Sequence, residues 1–248
     1  MTSSTEHHLY NMDCLDFLCE TKQRWDTAFA DPPDNIGLGY DEHKDKMNDA
    51  NFWEFMELVL QNLTEVATTV WWSFNPKHTV MMGVICHELG IEVKPCVQTF
   101  TFGQYNKNDL GVNHRPLWRL TRHPNDVQLY PETIKVPSWR ELNGDKRAKP
   151  GGRVPGDVFD FPRVTGNSKQ RRSWHPTQLH EGLVERCLRL TSKPGQRVLD
   201  VFGGTGTTLR VCKEIGRECT LVELSKGYCM HLLAEHPDLV LENRDFPE

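Results

Sequence analysis

The sequence predicts an α/β fold, a doubly wound, mostly parallel sheet with helices on both faces, interrupted by an inserted loop-rich lobe. Three observations carry this expectation. Apolar strand-like runs alternate with helical periods toward both ends of the chain. Glycine-rich or proline-rich turns follow the ends of two strands. A stretch from about 104 to 172 breaks the rhythm with many Pro, Gly, Asn and basic residues and few helical periods. The 248 residues suffice for one large core carrying such an insertion, and two independent domains are not expected.

In chain order, "TAFA" (27–30) reads as a short buried strand and "ANFWEFMELVLQNL" (50–63) as a helix. "TTVWWSF" (68–74) follows as a strand, "HTVMMGVICHELG" (78–90) as a helix, and "EVKPCVQTFTF" (92–102) as a further strand. Beyond the irregular stretch, "PTQLHEGLVERCLRLTS" (176–192) sets Leu179, Leu183 and Cys187 four residues apart, with Leu190 continuing the face of an amphipathic helix. "QRVLDVF" (196–202) is a strand, "TTLRVCKEIG" (207–216) a helix ended by Gly216, and "CTLVEL" (219–224) another strand. This β-α-β unit is Rossmann-like, with ligands expected at the carboxyl ends of its strands. The expected partition is a core of 1–103 and 173–248 around a lobe of 104–172.

A hydrophobic share of 38% and a charged share of 25% place the chain among ordinary globular proteins. No apolar run approaches the ~20 residues of a membrane span, and the start "MTSSTEHH" has no signal-peptide core, so a cytoplasmic protein is expected. The eight cysteines form no CxxC pair and several lie in apolar stretches, which suits buried reduced thiols; the scattered histidines lack metal-ligand spacing, and no metal is expected. The net charge of −5 hides an asymmetry. Residues 104–174 contain 14 Lys+Arg against 7 Asp+Glu, a charge of +7, which leaves −12 on the rest. An acidic body with one basic lobe suits a polyanion, most simply nucleic acid; a solvated basic loop without a partner is the plainer alternative.

"VLDVFGGTGTT" (198–208) delivers Asp200 at a strand end, then Phe202, Gly203, Gly204, Thr205 and Gly206, then a helix start. Such a turn lets a ligand approach the backbone and offers it free N–H groups. Glu223, at the end of the next strand, can accept both hydroxyls of a ribose. Together they indicate an adenosine-type cofactor without saying which.

"ADPPD" (30–34) closes the front strand. Both prolines lack an N–H, so the carbonyls at Pro32 and Pro33 and the Asp31 carboxylate form a cluster made only of acceptors. Such a cluster matches an exocyclic NH2 group, whose lone pair it would localise and aim at an electrophilic methyl group.

With these motifs the chain resembles the amino-methylating DNA methyltransferases that use S-adenosylmethionine, the N6-adenine/N4-cytosine family, in the permuted arrangement called the beta class. In that class a D-P-P-Y or S-P-P-Y motif precedes an inserted target-recognition region and the cofactor motif comes late. Here "ADPPD", the basic lobe, "HPTQ" (175–178) and "VLDVFGGTGTT" keep that order. The family's "GDCLE" segment resembles "MDCLD" (12–16), which implies that Asp13 and Cys14 lie near the cofactor adenine. The resemblance further implies that Asp31 and Pro32 hold the target amino group. It places Phe202 and the glycines along the cofactor, Glu223 on its ribose and Thr177 at its methionine end. It also implies double-stranded DNA with a flipped-out base as the partner, adenine N6 more than cytosine N4 as the target, and compatibility with a homodimer. A nicotinamide oxidoreductase would fit the glycine turn but leave "DPPD" and the lobe unexplained.

Asp34 departs from the pattern, because the family's fourth position is an aromatic that stacks on the flipped base. Three readings stay open: another aromatic, Tyr40 or Trp174, supplies the platform; Asp34 hydrogen-bonds a base edge or a loop backbone group; or activity is weak or lost. The first is favoured because the other motifs are intact. In the lobe, "RPLWRLTR" (115–122) and "GNSKQRRSWHPT" (166–177) interleave cations with tryptophans. Arg115, Arg171 and Arg172 are expected on DNA, Trp174 near the site, and Trp118 in a small core.

Overall fold

The computed structural model describes residues 5–41, 43–104 and 106–242. In chain order the elements are β1 (His7–Tyr10), α1 (Cys14–Glu20), β2 (Trp25–Ala30), β3 (Gly39–Tyr40), β4 (His43–Lys44), α2 (Asp49–Val66), β5 (Ala67–Ser73) and α3 (Thr79–Glu88). There follow β6 (Glu92–Lys94), β7 (Val97–Gln104), β8 (Val112–Thr121), α4 (Trp139–Leu142) and β9 (Val158–Asp160). The chain closes with α5 (Glu181–Thr191), β10 (Arg197–Asp200), α6 (Thr207–Ile215), β11 (Glu218–Val222), α7 (Lys226–Glu235) and β12 (Val240–Glu242).

One ten-stranded sheet runs β12-β1-β11-β10-β2-β5-β8-β7-β9, with β6 also paired to β8. From β12 to β5 every pairing is parallel, and β8 then enters antiparallel between β5 and β7. The parallel strands are apolar on both faces because helices cover both. Trp71 and Trp72 show the consequence: consecutive residues of β5 are 1% and 0% exposed and belong to opposite cores. Trp72, with Ala28, Ala30, Val70 and Leu199, meets α1, α2 and α3 through Phe17, Phe52, Met56, Leu60 and Met82. Trp71, with Phe29, Val198 and Leu221, meets α5, α6 and α7 through Leu183, Cys187, Leu209, Cys212 and Leu232. The expected doubly wound sheet is therefore present.

Helix limits follow local chemistry. Asn48 caps α2 by accepting from Asn51 N–H, and His180 caps α5 through Gly182 N–H, which starts that helix later than the apolar spacing alone suggests. Gly216 ends α6 in the left-handed conformation at φ 71°, as its position predicts.

Several elements differ from the sequence expectation or lie outside it, among them β3, β4, β9, α7 and β12. "EVKPCVQTFTF" is two strands, because Pro95 and Cys96 interrupt the ladder between β6 and β7. β1 and α1, at the front of the chain, carry too few residues for a periodic signal. A further difference concerns the irregular stretch: residues 112–121, inside the expected lobe, form β8, whose Leu117 and Leu120 are 1% and 0% exposed. Its alternation was masked by Arg115 and Arg119, which are only partly exposed. The part after β8 is loop-rich as expected. It docks on α5 through Tyr130 and Ile134, with Tyr130 N–H donating to the Leu190 carbonyl at 2.8 Å.

Candidate active site at the carboxyl ends of β2 and β10

β10 and β2 lie side by side, pairing Val198 with Thr27 and Leu199 with Ala28. After β10 the chain passes through α6 to β11 on one side, whereas after β2 it passes through α2 to β5 on the other. The two connections leave in opposite directions and open a crevice between them, the place where such sheets bind ligands. This topology brings together two motifs almost 170 residues apart, "ADPPD" after β2 and "DVFGGTGT" after β10.

On the β10 side, the Asp200 carboxylate accepts from Phe202 N–H at 2.9 Å and from the Thr208 hydroxyl at 2.6 Å, tying the strand end to the first turn of α6. Burial raises this carboxyl to about 7, and the nearby Asp31 and Glu223 add to the effect. Gly206 has no room for a side chain and Gly204 little. A Cβ on Gly206, at φ 69°, would lie 2.5 Å from Leu232 Cδ2, and one on Gly204, at φ 46°, would lie 3.3 Å from His175 Nε2. Thr205 is buried, and its carbonyl accepts from Arg210 Nη1 at 2.6 Å while Arg210 Nε pairs with Glu181 at 2.6 Å. Arg210 thus braces the turn, a role with no local sequence signal.

Glu223 ends β11. Its Oε2 accepts from Gly204 N–H at 2.7 Å and its Oε1 from Ser225 N–H at 2.8 Å. Both oxygens are oriented and each keeps lone-pair capacity for a further donor. Burial raises this carboxyl above the usual range. Next to it, Glu223 N–H donates to the Tyr10 carbonyl and Asn11 Nδ2 reaches the Glu223 and Leu224 carbonyls, so the "NMDC" segment is stitched to the same strand end. Asp13 caps α1 by accepting from Leu15 N–H at 2.7 Å. The Cys14 side chain, 7% exposed, packs in the core, and burial pushes its thiol well up.

The "HPTQ" segment closes over the turn. His175 faces Gly204, its ring lies 5.5 Å from Tyr40 and 4.8 Å from Tyr228, and its Nδ1 bonds the Thr177 carbonyl. Tyr40 hydrogen-bonds Thr177. Trp174 stacks on His231 at 4.6 Å with planes 8° apart, which fixes it on α7. Of the two aromatic candidates, Tyr40 is thus the one drawn against the Thr177 segment.

On the β2 side, Pro32 is buried, and Asp31 and Asp34 share one cation. Arg115, from β8, donates from Nη2 to Asp31 Oδ1 at 2.7 Å, from Nη1 to Asp34 Oδ2 at 2.7 Å, from Nη2 to Asp34 Oδ1 at 3.1 Å, and from Nε to Ser73 Oγ at 2.7 Å. The Asn75 N–H donates to Asp34 Oδ1 at 2.9 Å, and His78 Nε2 bonds the Asp34 carbonyl at 2.8 Å. Asp34 is therefore a loop fastener, as in the reading that gave it a backbone partner. Its ion pair with Arg115 was in none of the three readings. Burial raises the Asp31 carboxyl above the carboxylate range; Arg115 opposes this and Asp34 adds to it.

Arg115, expected on DNA, has four of its guanidinium contacts inside the site and a side chain 20% exposed. Arg172 pairs with Glu235 at 2.9 Å, and Arg171 reaches the Pro176 carbonyl at 3.3 Å, so both brace the segment before "HPTQ". Trp118 packs edge-on against Phe74 at 4.9 Å, the small-core reading. Lys135, Lys146, Lys149, Arg153, Arg163 and Lys169 are exposed instead. Ser73, Asn75 and His78 escaped the sequence reading; the only local sign was the "NPKH" turn after a strand.

Two curated relatives and two solved structures resemble the chain. M.HpaI, a type II methyltransferase of Haemophilus parainfluenzae, is 28% identical over 210 residues, 82% of this chain and 65% of its own length. The DNA adenine methyltransferase YhdJ of Escherichia coli K12 is 28% identical over 215 residues, 82% of this chain and 73% of its own. The cytosine-N4-specific PvuII DNA methyltransferase superposes with a TM-score of 0.71 at 13% identity, covering 98% of this chain and 89% of its own. The M1.HpyAVI–SAM complex does so with 0.59 at 16% identity, covering 92% and 98%. The DNA methylase family N6_N4_Mtase matches residues 25–235, spanning the acceptor turn, the glycine turn and the strands that bring them together, and the chain belongs to that family.

Proposed function

We propose that the protein transfers a methyl group from S-adenosylmethionine to the exocyclic N6 of a flipped-out adenine in double-stranded DNA. The observation that carries the reading is the adjacency of β2 and β10, which sets an acceptor-only turn beside a glycine cradle.

The residues on the cofactor side fit such a molecule. Gly204 and Gly206, both at positive φ, close the tight turn between β10 and α6, and Glu223 would offer its two held oxygens to a ribose diol. Asp13, the N-cap of α1 just after β1, would serve the adenine and Thr177 the methionine end. Asp31, Asp200 and Glu223 all have carboxyls raised by burial, a shortage of positive charge that a sulfonium would relieve. When bound, S-adenosylmethionine supplies an electrophilic methyl group.

The remaining chemistry belongs to the chain. The Asp31 carboxylate and the Pro32 carbonyl accept the two N–H bonds of the target amino group, drawing its lone pair out of conjugation with the ring. As the nitrogen becomes positive its acidity rises, and Asp31 is placed to take the surplus proton. Tyr40 provides an aromatic face in place of the missing fourth-position residue. The exposed lysines and arginines of the lobe hold DNA phosphates.

The test is incubation with tritium-labelled S-adenosylmethionine and unmethylated genomic DNA, followed by digestion to nucleosides and chromatography with mass detection. Label on N6-methyladenine is expected and label on N4-methylcytosine would change the base. Absence of label with both ligands bound would overturn the reading. Asp31→Ala is expected to abolish transfer and retain cofactor binding, because its side chain lies on the β2 side of the crevice.

A further inference from the structure

The guanidinium of Arg115 has five N–H bonds, and four contacts account for most of them: one to Ser73, two to Asp34 and one to Asp31. The division is unequal. Asp34 takes the end of the guanidinium through both oxygens, the bidentate geometry that arginine forms best. Asp31 receives a single bond from Arg115, on Oδ1, and a further hydrogen bond from Ser73, the residue that also accepts from Arg115 Nε. Asp34 is itself held from behind by Asn75 N–H and His78, so the loop after β2 and the turn after β5 fix the fork in place.

We infer that Asp34 and Arg115 form a positioning pair. Asp34 anchors the guanidinium so that it lends its charge and one hydrogen bond to Asp31, leaving the lone pairs that neither Arg115 nor Ser73 engages open to the target amino group. The inference deepens the methyl-transfer reading and rests on it. Without Asp34 the fork is free to turn and grip Asp31 with two N–H groups, occupying the acceptor. Without Arg115, two carboxylates face each other in a desolvated crevice and tend to share a proton, and a protonated Asp31 accepts poorly. This arrangement explains why an acid can stand where the family places an aromatic. The side chain at this position is turned to the protein rather than to the base.

The groups facing Asp31 are Arg115 of β8, Ser73 of β5, Asp34 of its own loop, Tyr40 of β3 and Asp200 of β10; His78 faces Asp34. The experiment is a pH profile of kcat/KM for wild type, Asp34→Asn, Arg115→Gln, Arg115→Lys and the double variant Asp34→Asn/Arg115→Gln. S-adenosylmethionine affinity and the titration of Asp31, followed by carboxyl carbon-13 resonance, are measured alongside. For Arg115→Gln the acid limb and the Asp31 titration should both move up by about one pH unit or more, with activity recovering toward alkaline pH. Arg115→Lys should leave the limb near its wild-type position while lowering the rate. Asp34→Asn should lower kcat/KM by roughly tenfold or more with cofactor affinity unchanged. The double variant, which removes one charge of each sign, should return the limb toward wild type. An unmoved limb and titration in Arg115→Gln, or a double variant whose loss of kcat/KM is the full product of the two single losses, would overturn the pairing. Wild type that transfers no methyl group at any pH would overturn the functional reading instead, and the Asp31 titration would still decide the pairing.

Discussion

Asp200→Asn isolates the electrostatic cost of holding the glycine turn. Asp200 is 6% exposed, and burial raises its carboxyl from 3.8 to about 7, with the bonds from Thr208 and Phe202 opposing. A raised carboxyl means that the native state holds the proton more tightly than the unfolded chain, so stability falls as pH rises between the two values. Below about pH 4 the group is protonated in both states and the loss is absent. Above about pH 7 it is ionised in both and the loss is complete, roughly three pH units at about 1.4 kcal/mol each, or ~4 kcal/mol. Between pH 5 and 8 the share is about 2–3 kcal/mol. Asparagine keeps an acceptor for Phe202 N–H and can donate to Thr208, whose hydroxyl turns from donor to acceptor, so the contacts survive and the titration does not. Urea denaturation of both proteins without cofactor at pH 5, 6, 7 and 8 is the assay, because the difference between them cancels every other titrating group. The variant should gain on wild type by about 2–3 kcal/mol from pH 5 to 8, or roughly 5–10 °C in Tm. Parallel curves, or a gap that opens toward acid, would refute the charge argument.

Four further outcomes are expected. Gly206→Ala should cost about 2–4 kcal/mol, from its left-handed backbone and the buried Leu232 methyl 2.5 Å from the new carbon, and should abolish cofactor binding by calorimetry. Leu120→Ala should cost about 2–5 kcal/mol in denaturant if β8 is a core strand, whereas a loop residue at that position would cost little. Replacing the exposed Lys146 and Lys149 by alanine should lower the slope of log affinity for DNA against log salt by up to about 2 and leave cofactor affinity unchanged. Affinity for S-adenosylmethionine relative to its neutral demethylated product should rise several-fold, worth about 1 kcal/mol, from pH 6 to 8 as Asp200 ionises; a flat ratio would show that the buried acids do not sense the sulfonium.

Most of the sheet was legible because its strands are short continuous apolar runs separated by amphipathic helices, and because Gly216 and the glycine turn punctuate them. The glycine-turn side of the crevice was legible for the same reason, since Asp200, the glycines and Glu223 lie within one local β-α-β unit. β8 was not, because a strand that carries Arg115 and Arg119 on its inner stretch reads as a basic loop until their partners are known. The partners of Arg171 and Arg172 were hidden in the same way: local charge density marks cations, but only the fold shows that the Pro176 carbonyl and Glu235 lie beside them.

The awkward acid at position 34 is the sharpest case of this limit. Its meaning depends on a residue 81 positions away in a strand of opposite direction, and on a backbone N–H at the end of a third strand. Local pattern compares Asp34 only with the aromatic it replaces, and so frames the substitution as a loss. Charge balance frames it differently. A crevice that gathers Asp31, Asp200 and Glu223 at one set of strand ends needs a cation near the acceptor, and a guanidinium brought that close must be turned aside or it will block the acceptor it supports. A second carboxylate two residues beyond the double proline's first member meets both needs, since it binds the fork end-on while the rigid turn keeps the two acids on the same side. The stacking surface can then come from elsewhere in the crevice, where Tyr40 already lies against His175 and Thr177.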